Sequence, residues 1–119
     1  MKRSKYNAKK RKKDGLTFDS TAEMRRWTQL KKKEEAGEIS NLRTQVEFVL
    51  IPSQQVRFGD VLISERRCSY IADFVYSDGG LTVVEDVKGY KKGAAYSCFV
   101  IKRKLMLEKY GIAVREVRM

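Results

Sequence analysis

The stretch RCSYIADFVYSDGGLTVVEDVKG, residues 67–89, decides the fold. Its first part is rich in aromatic and β-branched residues and closes on Ser77-Asp78-Gly79-Gly80, a strong hairpin turn signal. Its second part, Leu81 to Lys88, is the partner strand. Val83 and Val84 are adjacent, so both faces of that strand are expected to be covered, as in the middle of a sheet.

Working outward, Asp14-Gly15 marks a turn, and a helix start follows at DSTAE. Ser20 suits an N-cap, and Glu23 stands three residues on, as in a capping box. A helix over 22–36 puts Glu23, Trp27, Leu30 and Glu34 on one face, with Gly37 as its C-cap. TQVEFVLIP (44–52) alternates like a strand and stops at Pro52, while VRFGDVLI (56–63) reads as a weaker strand or a loop. A second helix fits 94–111, with Tyr96, Phe99, Ile101, Leu105 and Met106 as its apolar side and Gly111 as its end. A last strand fits 112–118. The order α-β-(β)-β-β-α-β predicts a small α/β domain with a mixed central sheet flanked by helices.

The 119 residues suit one domain, with 42% hydrophobic content and no apolar run near the roughly 20 residues that span a bilayer. The first residues show no signal peptide, so a cytoplasmic location is expected. Net charge is +11, yet residues 2–13 hold eight of the 26 basic residues and no acid, which leaves 18 basic against 15 acidic elsewhere. Residues 1–13 therefore read as a basic, flexible arm drawn to polyanions, and 14–119 as the folded domain. A solubility tail is the plainer reading of the arm. Cys68 and Cys98 lack CxxC spacing and are expected to be small core residues. The absence of histidine excludes His-activated nucleophiles and zinc fingers, so catalysis would have to use carboxylates and lysine.

Charge inside an apolar strand needs a reason. On a regular strand Asp86 and Lys88 share a face, and Asp73, between Ala72 and Phe74, can lie across the hairpin from the Asp86 region. Two close carboxylates repel unless a cation joins them, and hard oxygen ligands suit Mg²⁺, with Mn²⁺ as a substitute. Lys88 can then orient an attacking water or meet charge developing on phosphate. Glu23, on the helix face expected to pack on the sheet, can complete the cluster. The plainer reading makes Asp86–Lys88 a surface ion pair and Glu23 only a capping residue. Asp86 is the favoured ligand. Glu85, on the opposite face with Leu81, Val83 and Val87, is held in reserve, because a bulge would exchange the two. Asp78 reads as a turn residue, and Glu47 and Asp60 as solvent-facing charge.

In these residues the chain resembles the PD-(D/E)XK nuclease superfamily, and within it the small phage-encoded proteins related to archaeal-type Holliday-junction resolvases. The matching segments are KYNAKK, DGLTFDSTAEMRRWTQL, TQVEF, YIADFVY, VVEDVKGYKK and IKRKLMLEKYGI, in the expected order and over most of the chain. The resemblance carries the early helix glutamate onto Glu23, the first strand aspartate onto Asp73, and the acid-x-lysine onto Asp86-Val87-Lys88. It implies a restriction-endonuclease-like α-β-β-β-α-β core, Mg²⁺-dependent cleavage of DNA, and 5′-phosphate with 3′-hydroxyl products. Two departures stand out: Ala72, not proline, precedes Asp73, and the second acid is Asp where Glu is commoner.

Phosphate contacts are expected from the arm (Lys9, Lys10, Arg11, Lys12 and Lys13), from Arg25 and Arg26 beside Trp27, from Lys91 and Lys92 after the active strand, and from Lys102, Arg103 and Lys104 on the second helix. The plainer reading of each group is a solvated face. The expected function is a metal-dependent endonuclease, a Holliday-junction resolvase acting as a homodimer, because a four-way junction needs two opposed incisions and one chain carries one site. The alternatives are a nuclease of the same chemistry acting on ends, flaps or nicks, or cutting within a larger machine, and a non-catalytic nucleic-acid-binding protein.

Overall fold

The computed structural model describes residues 10–89 and 93–119. Lys9, Lys91 and Lys92, named above as phosphate contacts, lie outside the described residues, as do most of the arm and the start of the segment after Gly89.

A short hairpin opens the described chain: β1 (Arg11–Lys13) pairs antiparallel with β2 (Leu16–Phe18) around Asp14-Gly15. The expected boundary at residue 13 is corrected accordingly. Arg11, Lys12 and Lys13 belong to a strand, because the turn folds them onto Leu16–Phe18 and Arg11 Nε donates to Thr21 Oγ1 at 3.1 Å. Helix α1 (Thr21–Glu35) starts on Ser20, whose hydroxyl accepts the Glu23 N–H at 3.1 Å, so the predicted cap is present. Trp27 and Leu30 are buried beneath α1, and Trp27 Nε1 donates to Asp14 Oδ2 at 2.9 Å, which ties the opening turn to the helix.

The central sheet has the order β3-β6-β7-β8: β3 (Ser40–Ile51), β6 (Cys68–Asp78), β7 (Leu81–Lys88) and β8 (Arg115–Arg118). The first three are antiparallel neighbours. Helix α2 (Ala94–Tyr110) then crosses over so that β8 runs parallel to β7, which makes the sheet mixed. Gly111, at φ 69°, takes the left-handed C-cap of α2 that glycine adopts most easily. The expected mixed sheet between two helices is therefore present.

Each face has its own core. Phe18, Trp27, Leu30, Ile39, Phe74 and Tyr76 pack on the α1 side. Leu50, Tyr70, Ala72, Val84, Phe99 and Met106 pack on the α2 side. Val83 joins the first and Val84 the second, as the adjacent valines require of a central strand. Full burial of a residue such as Leu30 or Met106 contributes about 1.5–3 kcal/mol. Two apolar assignments are corrected. Ile101 is exposed because it lies off the Phe99–Met106 side of α2, and Cys98 is exposed rather than in the core, while Cys68 is half-buried.

Segment 56–63, weak in sequence, is a true hairpin: β4 (Gln54–Phe58) and β5 (Val61–Glu65) form a separate two-stranded ribbon between β3 and β6. No described helix is long and apolar enough to cross a membrane.

Candidate active site

The site grows from a break in strand alternation. Tyr70 and Ala72 of β6 face α2, but Phe74 and Tyr76 face α1, although all four have the same parity. On β3, Leu42 lies on the α1 side and Val46 and Phe48 on the α2 side. Both strands change face at one point, where the β3–β6 ladder passes over Gln45 and Asp73. Gln45 absorbs the change with φ 52°, a left-handed conformation that costs a non-glycine residue about 1–2 kcal/mol. The β6–β7 pairing likewise ends at Phe74 opposite Glu85, so the strands part beyond it.

Asp73 stands where they part. Its Oδ2 accepts the Val87 N–H at 2.8 Å, and Gln45 Nε2 approaches its Oδ1 at 3.5 Å. Burial pushes this carboxyl up to about 6; the repulsion of Asp86 adds to the rise, while the Val87 N–H, Gln45 and Lys88 oppose it.

On β7, Asp86 is buried on the α2 side. Lys88 Nζ lies 2.9 Å from its Oδ2, and the buried Tyr70 hydroxyl donates to its Oδ1 at 2.9 Å. Tyr70 is held well above the usual phenol range by burial and by the neighbouring Asp86 charge, so it stays a donor. The Lys88 ammonium also rests 3.9 Å above the Phe99 ring centroid, which fixes the direction of its long stem. Asp86 and Lys88 open on a cavity of about 300 Å³ against α2, lined also by Tyr70, Phe99, Cys98 and Lys102.

Glu23 lies in the first turn of α1. Burial raises its carboxyl to about 7, and the charges of Asp73, Asp19 and Asp86 add to the rise, against a hydrogen bond from the Asp19 backbone. Three carboxylates from α1, β6 and β7 thus feel one another, beside one ammonium. Among the described residues, however, no three Asp, Glu or Cys side chains are grouped closely enough to hold a metal ion as they stand.

Glu85 has a different task. It is fully buried on the α1 side, where Arg26 Nε and Nη2 grip its two oxygens at 2.8 and 2.7 Å and the Tyr76 hydroxyl also donates to it. Burial pushes Glu85 up, but these donors outweigh it and hold the carboxyl below its usual range. Tyr76 is pushed up to about 12, first by burial and then by its bond to Glu85. Glu85 is therefore neutralised away from the Asp86 cluster, and its reserve role as a ligand is corrected. So is the expectation for Arg26, whose remaining Nη1 donates to Gln29; its guanidinium is engaged inside the protein.

Of the other basic residues named, Lys102 borders the Asp86 cavity, and Lys10, Lys12, Lys13, Arg25 and Lys104 are exposed. Arg103 pairs with Glu116 at 3.1 Å. Glu47 binds Arg67 and Ser69, and Asp60 is at the exposed tip of the ribbon. Sequence reasoning missed Tyr70, Gln45 and the Arg26–Glu85–Tyr76 cluster. Tyr70 could have been found from its two-residue spacing to Ala72, and Arg26 from its four-residue spacing to Leu30. Nothing local marks Gln45.

Fold and site define a small α/β domain with a carboxylate–lysine cluster at the parting of two central strands. The chain belongs to the DUF1064 family, described as proteins of unknown function, whose model matches residues 3–118. No curated protein and no solved structure matches it significantly.

Proposed function

We propose that this protein is a metal-dependent DNA endonuclease of the PD-(D/E)XK type, acting on branched DNA such as a four-way junction, as a homodimer. The observation that carries the reading is the Asp73–Asp86–Lys88 cluster, with Glu23 in electrostatic reach, at the split between β6 and β7.

The donor chemistry fits Mg²⁺ or Mn²⁺: all-oxygen carboxylates, of which burial first and then mutual repulsion press Glu23 and Asp73 towards protonation. Asp73 and Asp86 would hold the ion, with Glu23 completing the set after side-chain adjustment. When bound, it would supply Lewis acidity at a phosphodiester oxygen and a more acidic water.

The chain's own residues do the rest. Tyr70 fixes the Asp86 carboxylate by its hydroxyl. Lys88, steadied over Phe99, offers its ammonium to the attacking water or to the charge growing on the phosphate. Lys102, which lines the same cavity, would meet a neighbouring phosphate. Recognition would rest on backbone and shape.

The test is incubation of the purified chain with a mobile four-way junction, a flap and a linear duplex, with Mg²⁺ or with EDTA. Paired, symmetric incision of the junction in Mg²⁺ alone is expected. Preferential cutting of flaps or ends would keep the chemistry and change the substrate. Full binding without cutting would overturn the enzyme reading in favour of a nucleic-acid-binding protein.

A further inference from the structure

The β4–β5 ribbon is the part of the fold that the active site does not explain. Its register pairs Val56 with Ile63 and Phe58 with Val61, so these four side chains share one face. The other face carries Gln55, Ser64, Arg57 and Leu62. The ribbon has the pattern of a half-buried structure, yet every one of its residues is exposed, with Phe58 77% accessible. It makes no substantial packing with any other described element. An isolated two-stranded ribbon is marginal in water and needs a covered apolar face to be stable.

We propose that the Val56–Phe58–Val61–Ile63 face is the dimer interface, covered by the same face of a second copy of this chain. The inference deepens the reading above. It rests on that reading for the need of two sites, and on the ribbon alone for the surface. The four side chains expose about 400 Å² per copy, roughly half of what each partner buries in a standard interface of about 800 Å² per side. The same face carries Gln54 and Glu65 at its base and no lysine or arginine, so it does not suit a polyanion, whose phosphates need basic groups. Self-pairing about a two-fold axis suits it well, since the same four residues meet themselves. With the ribbons crossing head to tail, the Asp60 tip of one copy would reach the base of the other, where Arg66 follows Glu65 and Arg67 is already paired with Glu47.

Sedimentation and light scattering of the full chain, with Phe58→Asp and Val61→Asp as variants, test this. The wild type should show twice the 13.8 kDa chain mass at micromolar concentration. Either variant should weaken the dimer at least 100-fold, with an unchanged circular dichroism spectrum because both side chains are exposed. A wild type that stays at the chain mass overturns the proposal, as does a dimer indifferent to both substitutions. A monomeric wild type whose DNA affinity falls on Phe58→Asp assigns the ribbon to nucleic acid and also overturns it. Cutting separates the two readings: a ribbon-dependent dimer without nuclease activity leaves this inference standing and removes the other, while an active monomer does the reverse.

Discussion

Replacing Asp73 by asparagine should make the metal-free protein more stable at neutral to alkaline pH. Asp73→Asn keeps an oxygen for the Val87 N–H and removes one of three mutually repelling charges. The folded carboxyl titrates near 6, above its ordinary value of 3.8, because burial and Asp86 oppose its ionisation. The sign follows from linkage: a group raised in the folded state is fully favourable below its unfolded pKa, and that advantage is lost as pH rises through the folded value. At pH 8 the wild type therefore carries the whole cost. Two pKa units correspond to at most about 3 kcal/mol, and partial solvent access reduces this to about 1–2 kcal/mol. For a domain of this size the melting temperature should rise by roughly 5 °C. Thermal and urea melts between pH 4 and 8 read the effect, which should shrink as pH falls through about 6 and approach zero near 3.8. Mg²⁺ should stabilise the wild type and not the variant. An Asp73→Asn protein that is less stable at pH 8, or whose difference does not vary with pH, would refute the reasoning.

Other outcomes follow from the same geometry. Arg26→Ala leaves Glu85 buried without its bidentate partner and should cost about 3–5 kcal/mol in urea unfolding, whereas Arg26→Met combined with Glu85→Leu should recover most of that loss. Gln45→Gly should be neutral or stabilising at φ 52°, while the β-branched Gln45→Val should cost about 2 kcal/mol by the same melts. Lys88→Ala should abolish junction cutting and keep junction binding in gel-shift titrations, and Tyr70→Phe should lower the cutting rate about tenfold with unchanged affinity. Lys102→Ala should reduce the slope of log affinity against log salt by about 0.9, equally for every DNA sequence.

Much of this arrangement was legible in the sequence because local rules sufficed. The Ser20 cap, the Gly79-Gly80 hairpin, the paired faces of Val83 and Val84, and the Gly111 stop each depend on residues within one element. The candidate cluster was legible too, since Asp86 and Lys88 lie two apart on one strand and Asp73 interrupts an apolar neighbour. What escaped depends on long-range geometry. The change of face at Gln45 and Asp73 is a property of two strands together, and it is what carries Asp73 off the regular ladder into the gap beside Val87. Nothing local pairs Glu85 with Arg26, which the helix brings to it from 59 residues away in the chain. The ribbon reads weakly in sequence because Arg57, Gly59 and Asp60 interrupt its short apolar stretches.

The central claim is that Glu23, Asp73 and Asp86 jointly take up a divalent ion beside Lys88. Mn²⁺ titration of the protein–junction complex, followed by electron paramagnetic resonance in the wild type and in Asp73→Asn and Asp86→Asn, measures that uptake directly. The account predicts protein-dependent Mn²⁺ binding in the wild type that is lost in both variants while the junction stays bound. Equal Mn²⁺ uptake by all three proteins, or none by the wild type, would contradict it.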